Sequence, residues 1–403
     1  MMLGFLLARA GVDVVVLEKH ADFLRDFRGD TVHPATLDLM FELGLLDEFL
    51  QRPHTEVPRV GGRINGRDVT IGDLTYLPTR CKFIALMPQW DFLNFLAEHA
   101  RRYPAFSLRM RTAATDLIDD GGRIAGVRAH GPDGPLDIRA DLVIAADGRH
   151  SVLRERAGLR VRDYGAPFDV LWFRLPKRAG DAVSLLGYFE RGRLLVTLDR
   201  GDYWQCAYVI PKGGFDALRA RDIAVLHDGV VALAPFLRDR IGQLTSWDDV
   251  KLLTVVVDRL ETWHRAGLLC IGDAAHAMSP MGGVGINFAI QDAVAAANML
   301  AAPLASGTVT DANLAAVQRR RELPTRIIQA VQVAVGNRIF GNVGAEPPSP
   351  GASASDRAGI PLPLRLLQRF PWLRQFPARL VGIGPRPEHI RTPDVLAARA
   401  PRG

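Results

Sequence analysis

The sequence predicts an α/β fold in which a parallel sheet flanked by helices is joined to a second sheet of antiparallel strands. Three observations support this fold class. An apolar strand runs into a glycine-containing turn and a helix near 140–157, and the same order recurs near 268–300. Between these two places, residues 164–260 contain runs in which apolar and polar residues alternate, as half-buried antiparallel strands do.

The start of the chain predicts a helix followed by a strand. Residues 1–11 are mostly apolar and end on a glycine, which is typical of a helix C-terminus, and a valine-rich strand ending on Glu18 follows. This is the second half of a Rossmann βαβ unit, in which an acidic residue at this place binds a ribose. The first strand and G-x-G-x-x-G turn of such a unit do not precede the helix, and the glycine pairs at 61–62 and 121–122 are expected in hairpin-like turns. We therefore expect that the chain begins inside its own first helix, through truncation or a misassigned start.

A signal peptide and a membrane anchor are two other interpretations of the apolar start. No basic residue precedes the apolar run, which is shorter than the roughly 18 residues that span a bilayer, and a strand follows at once. We therefore expect no membrane span. The composition is typical of a cytoplasmic enzyme.

The most specific pattern of the chain is a strand, a glycine-rich loop and a helix within residues 268–287. Its marked positions are Gly272, Asp273, Pro280, Gly285, Ile286 and Asn287. A carboxylate at the carboxyl end of a strand can hold ligand hydroxyls, and a helix N-terminus offers free N–H groups and a positive dipole end. The alternative is a strand, turn and helix that only pack. The length of the pattern favours a site for an extended, polyhydroxylated, redox-active ligand.

A second strand of this kind ends at Asp147 and Gly148. A mostly apolar run, 140–146, precedes the pair, and a helix is predicted over 151–157. By itself, an Asp-Gly pair after a strand is a common turn. Its position between the chain start and the 268–287 pattern favours a second contribution to the same ligand site.

Together these residues resemble a known family. The Gly-Asp-Ala-Ala-His run at 272–276, followed by Pro280, Gly285 and Asn287, resembles the second FAD fingerprint of the para-hydroxybenzoate-hydroxylase-like (class A) flavoprotein monooxygenases. The Asp-Gly pair resembles the Asp-Gly motif of the same family, and the resemblance covers residues 1–300. It implies a Rossmann-like FAD-binding domain joined to a mixed-sheet substrate domain, with FAD as the cofactor.

The resemblance implies roles for particular residues. Asp273 would bind the ribityl chain of FAD, and the helix start at Gly285 and Ile286 would lie against the pyrimidine edge, where the positive helix end stabilises the reduced flavin. Pro280 and Gly285 are the candidate catalytic positions. The implied cofactor-binding residues are Glu18, Arg28, Gln89, Asp147, Gly148, Gly272, Asp273, Pro280, Gly285, Ile286 and Asn287.

Some of these assignments have ordinary alternatives. Arg28 precedes a helix predicted over 35–43, where the family has an arginine that contacts FAD and the phosphates of the nicotinamide nucleotide; a surface arginine near a turn is the alternative. Gln89 begins an amphipathic helix, where the family has a glutamine against the ribityl or adenosine portion; a plain helix N-terminal residue is the alternative. His276 is interpreted as a structural residue of its turn rather than as a base.

The reaction implied by the resemblance is the hydroxylation of an aromatic or similar small organic substrate. NADH or NADPH reduces the flavin, O2 adds to give a flavin hydroperoxide, and one oxygen atom passes to the substrate. Two alternatives stay open: another flavin oxidoreductase of the same fold, such as a reductase or halogenase, and a truncated protein without FAD. The Trp-x-Trp-x-Ile-Pro signature of the halogenases does not occur in the chain.

The remaining patterns predict the domain organisation. Strands are predicted at 170–175, 193–198, 203–210 and 251–258, and an amphipathic helix at 222–236. Further along the chain we predict a helix at 312–340, a linker at 344–363 and a broken apolar–basic helix at 364–383. We expect this broken helix to dock on the enzyme or on a second subunit, so that a homodimer is one alternative. The predicted FAD-binding domain has two parts, 1–162 and 266–343. The predicted substrate domain lies between them, at 163–265, and a linker with a helical tail follows at 344–403.

Composition limits the other functional classes. The formal net charge is +6 and the sequence pI is about 9.5, but the cations are mostly arginines spread among acids, without the basic runs of nucleic-acid-binding proteins. Three cysteines provide neither a disulfide framework nor metal-ligand spacing. We therefore expect no nucleic-acid partner and no metal site.

Overall fold

The computed structural model describes residues 1–24, 31–181, 186–190, 192–340 and 361–397. Its α-helices are α1 (Met2–Arg9), α2 (Pro34–Glu42), α3 (Leu46–Leu50), α4 (Gln89–Ala100), α5 (Val152–Arg156), α6 (Phe215–Arg219), α7 (Ala224–Leu233), α8 (Gly285–Ala305), α9 (Asp311–Phe340), α10 (Leu362–Arg369) and α11 (Gln375–Gly382). Short 3-10 helices lie at Leu74–Tyr76, Pro235–Leu237, Ile241–Gln243, Trp247–Asp249, Gly272–Ala274, Met281–Gly283 and Pro371–Arg374.

The strands are β1 (Val14–Leu17), β2 (Thr31–Val32), β3 (Thr55–Val57), β4 (Arg59–Ile64), β5 (Arg67–Asp73), β6 (Ile84–Leu86), β7 (Phe106–Arg109), β8 (Ala113–Asp120), β9 (Arg123–Gly131), β10 (Gly134–Arg139), β11 (Val143–Ala145), β12 (Val161–Asp163), β13 (Phe168–Pro176), β14 (Leu186–Glu190), β15 (Arg193–Asp199), β16 (Tyr203–Pro211), β17 (Lys251–Leu253), β18 (Asp258–Leu260), β19 (His264–Arg265) and β20 (Leu268–Cys270).

The parallel part of the fold contains the strands that carry both sequence motifs. β11 pairs in parallel with β20, so that Ala145 lies opposite Cys270, and β1 pairs in parallel with β7. α1 packs against α4 and α8, and the apolar residues of these helices and strands form the largest buried cluster. The predicted helix and strand at the chain start and the two strand–turn–helix units are therefore confirmed.

A seven-stranded sheet forms the second part of the fold, with the strand order β17-β13-β16-β15-β14-β4-β5. Its two faces differ, because alternate residues of each strand point to opposite sides. Leu171 and Phe173 of β13 lie in a fully buried core that α7 covers. Val170 and Trp172 belong to a separate apolar cluster on the other face, which also includes Met281 from the glycine-rich loop. The sheet therefore turns one face toward the parallel part of the fold.

The predicted strand at 251–258 is wrong as a single element. The structure has β17 and β18 there, in two different sheets. Between them, Val255 N–H donates to Asp169 Oδ1 over 2.9 Å, and Val255 O accepts from Lys212 Nζ over 2.5 Å. Because side chains satisfy this backbone, the chain leaves the sheet without losing hydrogen bonds.

The glycine pair at 61–62 was also expected in a turn and lies instead inside β4. A Cβ added at Gly61 would be 2.2 Å from Val69 O, and one added at Gly62 would be 2.0 Å from Gly187 O. These glycines therefore allow three strand backbones to approach closely. The turn of this hairpin is at Asn65 and Gly66, both with positive φ.

The C-terminal tail packs against the rest of the same protein chain. α10 and α11 pack along β5, where Gln368 Nε2 donates to Thr70 O over 2.8 Å. The predicted docking of the tail on the enzyme is thus confirmed. Most of the predicted linker at 344–363 lies outside the described residues.

One helical stretch of the described residues, Met281–Ala305, is long and apolar enough to cross a membrane by length and composition. Most of it is buried, and α8 packs against α1, α2 and α9. These contacts are those of a core helix, whose apolar surface is covered by protein.

Candidate active site

The carboxyl ends of β11 and β20 bring the two motifs to the same edge of the parallel sheet. The strands are in register, and Ile271 N–H donates to Ala145 O over 3.0 Å, immediately before each motif begins. Asp147 and Asp273 both follow these strand ends. Open α/β sheets bind ligands at such an edge.

Gly272 allows the turn after β20 to lie close to α8. Its φ is +57°, and an added Cβ would be only 3.0 Å from the Cβ of Ala289. Its N–H donates to Asp292 Oδ2 over 3.0 Å. Asp273, the next residue, is half-buried on a 3-10 turn. The turn therefore requires glycine at 272 and carries a carboxylate at 273.

The N-terminus of α8 faces open space. The preceding loop contains Gly282 and Gly283 with φ of +80° and +63°, and no side chain of the described residues caps the helix. A Cβ added at Gly285 would meet no atom within 4 Å. Pro280, earlier in the loop, is half-buried, and so is Ile286 in the first turn. The first amides of α8 can therefore bind an electron-rich group that approaches from outside.

Asn287 supports this helix start with its side chain. Its Oδ1 accepts from His33 N–H over 3.0 Å and from Thr36 Oγ1 over 2.8 Å. Its Nδ2 donates to Thr31 O over 3.1 Å and to Gly283 O over 3.3 Å. Because both amide atoms are used within the protein, Asn287 positions the loop rather than offering its side chain to a ligand.

His33 is a residue of the site that the sequence analysis did not identify. Its side chain is fully buried, and its Nδ1 lies 2.8 Å from Val381 O. Burial lowers the pKa of His33 to about 4 despite that hydrogen bond, so the ring is neutral near pH 7. Its Nε2 has no partner among the described residues and is then an unprotonated acceptor. The only sequence signal was a histidine beside the proline that starts α2.

The Asp147–Gly148 motif is more open. Asp147 is exposed, and its Oδ2 accepts from Leu153 N–H over 3.3 Å at the start of α5. Gly148 has a φ of +91°, and a Cβ added there would meet no atom within 4 Å. Arg154 links this motif to the other one, since its Nη1 donates to Ala274 O over 3.3 Å and its Nη2 to Asp258 Oδ2 over 3.3 Å.

Three further predicted residues belong to other parts of the chain. Glu18, just after β1, is half-buried, and its Oε1 accepts from His20 N–H over 3.0 Å. Gln89 is half-buried at the first position of α4, the helix that packs on α1. Arg28 lies outside the described residues.

His276 is a buried structural residue of the turn. Its side chain is 1% exposed, and its Nε2 lies 2.6 Å from Asp292 Oδ2. Its ring also packs on Trp263, with centroids 4.9 Å apart. It therefore lies beneath the turn, away from the open side of α8.

The residues present fit FAD. A half-buried carboxylate at Asp273 suits the hydroxyls of a ribityl chain, and the open amides of α8 suit the electron-rich edge of a flavin. The open side of Gly148 leaves room for a second part of the ligand. The fold and site thus define a nucleotide-cofactor oxidoreductase with an α/β cofactor-binding part and a separate sheet.

Comparison with known proteins identifies the family. The profile of the FAD binding domain family matches residues 1–331, and the chain belongs to that family. 6-Methylpretetramide 4-monooxygenase of Streptomyces rimosus is 34% identical over 337 residues, which are 82% of this chain and 79% of the relative. Para-nitrophenol 4-monooxygenase of Pseudomonas sp. strain WBC-3 is 25% identical over 319 residues, 75% of either chain.

Solved structures share the fold. p-Nitrophenol 4-monooxygenase from Pseudomonas putida DLL-E4 superposes with a TM-score of 0.70 at 22% identity, covering 96% of this chain and 95% of that one. The anhydrotetracycline hydroxylase OxyS from Streptomyces rimosus gives 0.69 at 22% identity, covering 94% and 73%. The predicted fold class, the FAD cofactor and the class of FAD-dependent monooxygenase are therefore confirmed.

Proposed function

We propose that the protein uses NADH or NADPH and O2 to hydroxylate an aromatic, phenol-type small molecule. The observation that carries this proposal is the pairing of a strand-end carboxylate, Asp273, with an open and uncapped α8 N-terminus at the same sheet edge. The names of the relatives support the substrate class, since they include a para-nitrophenol monooxygenase and an aklavinone 12-hydroxylase. Bound FAD would supply the redox chemistry: two electrons from the nicotinamide reduce O2, one oxygen atom enters the substrate and the other leaves as water.

The residues of the two motifs would divide the work of holding the cofactor. Asp273 would accept hydrogen bonds from ribityl hydroxyls, and the amides of Gly285 and Ile286 would hold the pyrimidine edge, where the helix dipole would stabilise negative charge. Asp147 and Gly148 would contact the cofactor and the incoming nicotinamide nucleotide. The further cofactor contacts proposed from sequence are Glu18, Arg28, Gln89 and Gly272.

The substrate would lie between the seven-stranded sheet and the glycine-rich loop. Trp172 and Val196 are partly buried on the sheet face whose apolar cluster includes Met281 of the loop. Pro280 and Gly285 would then border the reacting centre, and their lack of long side chains leaves room for an aromatic ring. This apolar surface would exclude water from the oxygen transfer.

The same proposal includes the domain division and the setting of the protein. The parallel part, 1–162 with 266–343, would bind FAD, 163–265 would bind the substrate, and 344–403 would form the linker and tail. Cys81, Cys206 and Cys270 are buried free thiols, which supports a reducing, cytoplasmic compartment. A homodimer is the proposed alternative to a monomer, and light scattering of the purified protein would measure it.

Oxygen incorporation tests the reaction. With FAD, a reduced nicotinamide and 18O2, we expect a product of a suitable phenol that contains one 18O atom, and nicotinamide oxidation that depends on the phenol. A product that forms without O2 would identify a reductase and overturn the proposal.

A matched pair of variants tests the site. Asp273→Ala removes the proposed ribityl partner, at a cost of about 1–3 kcal/mol, which is about 5- to 150-fold in the dissociation constant of FAD. Asp137→Ala, at an exposed position of β10, is the control and should bind FAD as the wild type does. Equal FAD affinity in the two variants would contradict the assignment of Asp273.

A further inference from the structure

We propose that the C-terminal tail is a working part of the cofactor site, and that Glu388 and Asp292 are positioning residues for FAD. The inference rests on the proposed assignment of the Gly272–Asp273 turn to FAD. Both residues lie outside that turn, and Glu388 lies beyond residue 331, where the family match ends.

Asp292 of α8 holds the turn with both carboxylate oxygens. Its Oδ2 accepts from Gly272 N–H over 3.0 Å and lies 2.6 Å from His276 Nε2, so one atom binds both ends of the turn. Its Oδ1 accepts from Arg321 Nε over 2.9 Å. Burial alone would raise the pKa of Asp292. The neighbouring His276 and Arg321 outweigh burial, so that the pKa of this carboxyl lies below its ordinary value. This one carboxylate therefore links the Gly272–Asp273 turn directly to α8.

Glu388 of the tail completes the charge balance of the cluster. Asp292, Arg321 and Glu388 are 0%, 1% and 2% exposed. Arg321 Nη1 donates to Glu388 Oε1 over 3.4 Å, and Arg320 donates to both oxygens of Glu388 over 2.6 and 3.0 Å. Each buried charge of this cluster is compensated by its neighbours, and removing one charged partner from a buried ion pair is destabilising. Loss of Glu388 would thus disturb the hold of Arg321 on Asp292.

The tail also reaches the N-terminus of α8. Val381 O accepts the hydrogen bond of His33 Nδ1 over 2.8 Å, and His33 N–H donates to Asn287 Oδ1 over 3.0 Å. Asn287 in turn holds Gly283 of the loop. The tail therefore contacts two supports of the same helix, one at its first turn and one at Asp292. Both supports set groups that face the cofactor, so the tail can change FAD affinity without touching FAD.

Four variants separate this positioning from general stability. Glu388→Gln keeps the shape of the side chain and one acceptor oxygen, and it removes the charge and the second acceptor. Asp292→Asn removes the charge at the turn itself, and Asp273→Ala is the reference for the site. Asp394→Asn is the matched control, because Asp394 anchors the same tail to Arg9 over 3.4 Å and to Tyr103 over 3.2 Å, at a different place.

The measurements are the dissociation constant of FAD for each apoprotein, the melting temperature without FAD, and the visible circular dichroism of bound FAD. We expect Glu388→Gln to raise the dissociation constant by about 3- to 30-fold, the range typical of residues that couple to a site without contacting its ligand. Asp292→Asn should raise it further and alter the visible dichroism. Asp394→Asn should lower the melting temperature, because it weakens another anchor of the tail, and should leave the dissociation constant at the wild-type value.

The outcomes distinguish a failure of the tail inference from a failure of the site assignment. If Asp273→Ala weakens FAD binding and Glu388→Gln does not, the tail inference is wrong and the site assignment stands. Equal increases in the dissociation constant for Glu388→Gln and Asp394→Asn would also overturn it, since the effect would then be loss of tail stability. Wild-type affinity in Asp273→Ala would overturn the site assignment and the inference together. If Asp292→Asn does not fold, Glu388→Gln still decides the question.

Discussion

The turns after β20 and β11 look alike in sequence, yet the structure holds them in different ways. Each follows a parallel strand and contains a glycine beside an aspartate. The Gly272–Asp273 turn is held from below by the buried carboxylate of Asp292, whereas Asp147 is exposed and accepts one backbone N–H over 3.3 Å. The difference teaches that one turn is built into the core, where its geometry is stiff, and the other is a surface turn beside the same site.

The largest expected effect comes from the cluster under the first turn. Arg321→Met removes the partner of two buried carboxylates and should lower the free energy of unfolding by about 3–5 kcal/mol. Arg154→Met is the comparison, since Arg154 lies in the helix after the second turn, links that turn to Ala274 O and Asp258, and is 11% exposed in its side chain. Urea unfolding measures both. A loss for Arg321→Met no larger than that for Arg154→Met would break the distinction between the two turns.

A pH dependence should follow from His33, which supports the N-terminus of α8 through Asn287. Its folded pKa of about 4 lies below its unfolded value of 6.5, so its stability contribution is complete above pH 6.5 and is lost as the pH falls toward 4. The loss is on the order of 3 kcal/mol, at 1.36 kcal/mol per pKa unit. His33→Asn removes the titration and can still donate to Val381 O. Urea unfolding measures the free energy of unfolding at each pH. If this variant loses as much of it between pH 6.5 and 4 as the wild type does, a group other than His33 causes the pH dependence.

The two glycines allow a direct comparison of the turns. Both have positive φ, but an added Cβ at Gly272 meets Ala289 at 3.0 Å, whereas one at Gly148 meets nothing within 4 Å. Gly148→Ala should cost about 1 kcal/mol from backbone strain alone, and Gly272→Ala about 2–3 kcal/mol. Thermal unfolding checks the order, and a reversed order would contradict the packing described for Gly272.

The smallest expected effect is that of Asp147→Asn on stability. The amide oxygen can still accept from Leu153 N–H, and the side chain is exposed, so the free energy of unfolding should change by less than about 0.5 kcal/mol. The affinity for FAD or for the reduced nicotinamide should change more. A large loss of stability would show that the second turn is also part of the core.

Local patterns in the sequence were sufficient for much of the site. Strand, turn and helix near 268–287 and near 140–157 could be predicted, because strand ends, positive-φ glycines and helix starts depend on neighbouring residues. The close approach at Gly62 could not, because it depends on the pairing of β4 with β14, whose Gly187 lies far along the chain. The break at Val255 depends likewise on Asp169, which is 86 residues away.

The sequence by itself determined the family, the cofactor and the order of the two motifs, since short-range residue patterns carry this information. Tertiary structure alone decided how the motifs are supported. Arg321 pairs with Asp292, which is 29 residues away in the chain, and with Glu388, which is 67 residues away. Nothing local marks an aspartate in an alanine-rich helix or a glutamate in a tail as partners of one arginine. Their pairing follows from burial, because charges removed from water are stable only where the fold brings opposite charges together.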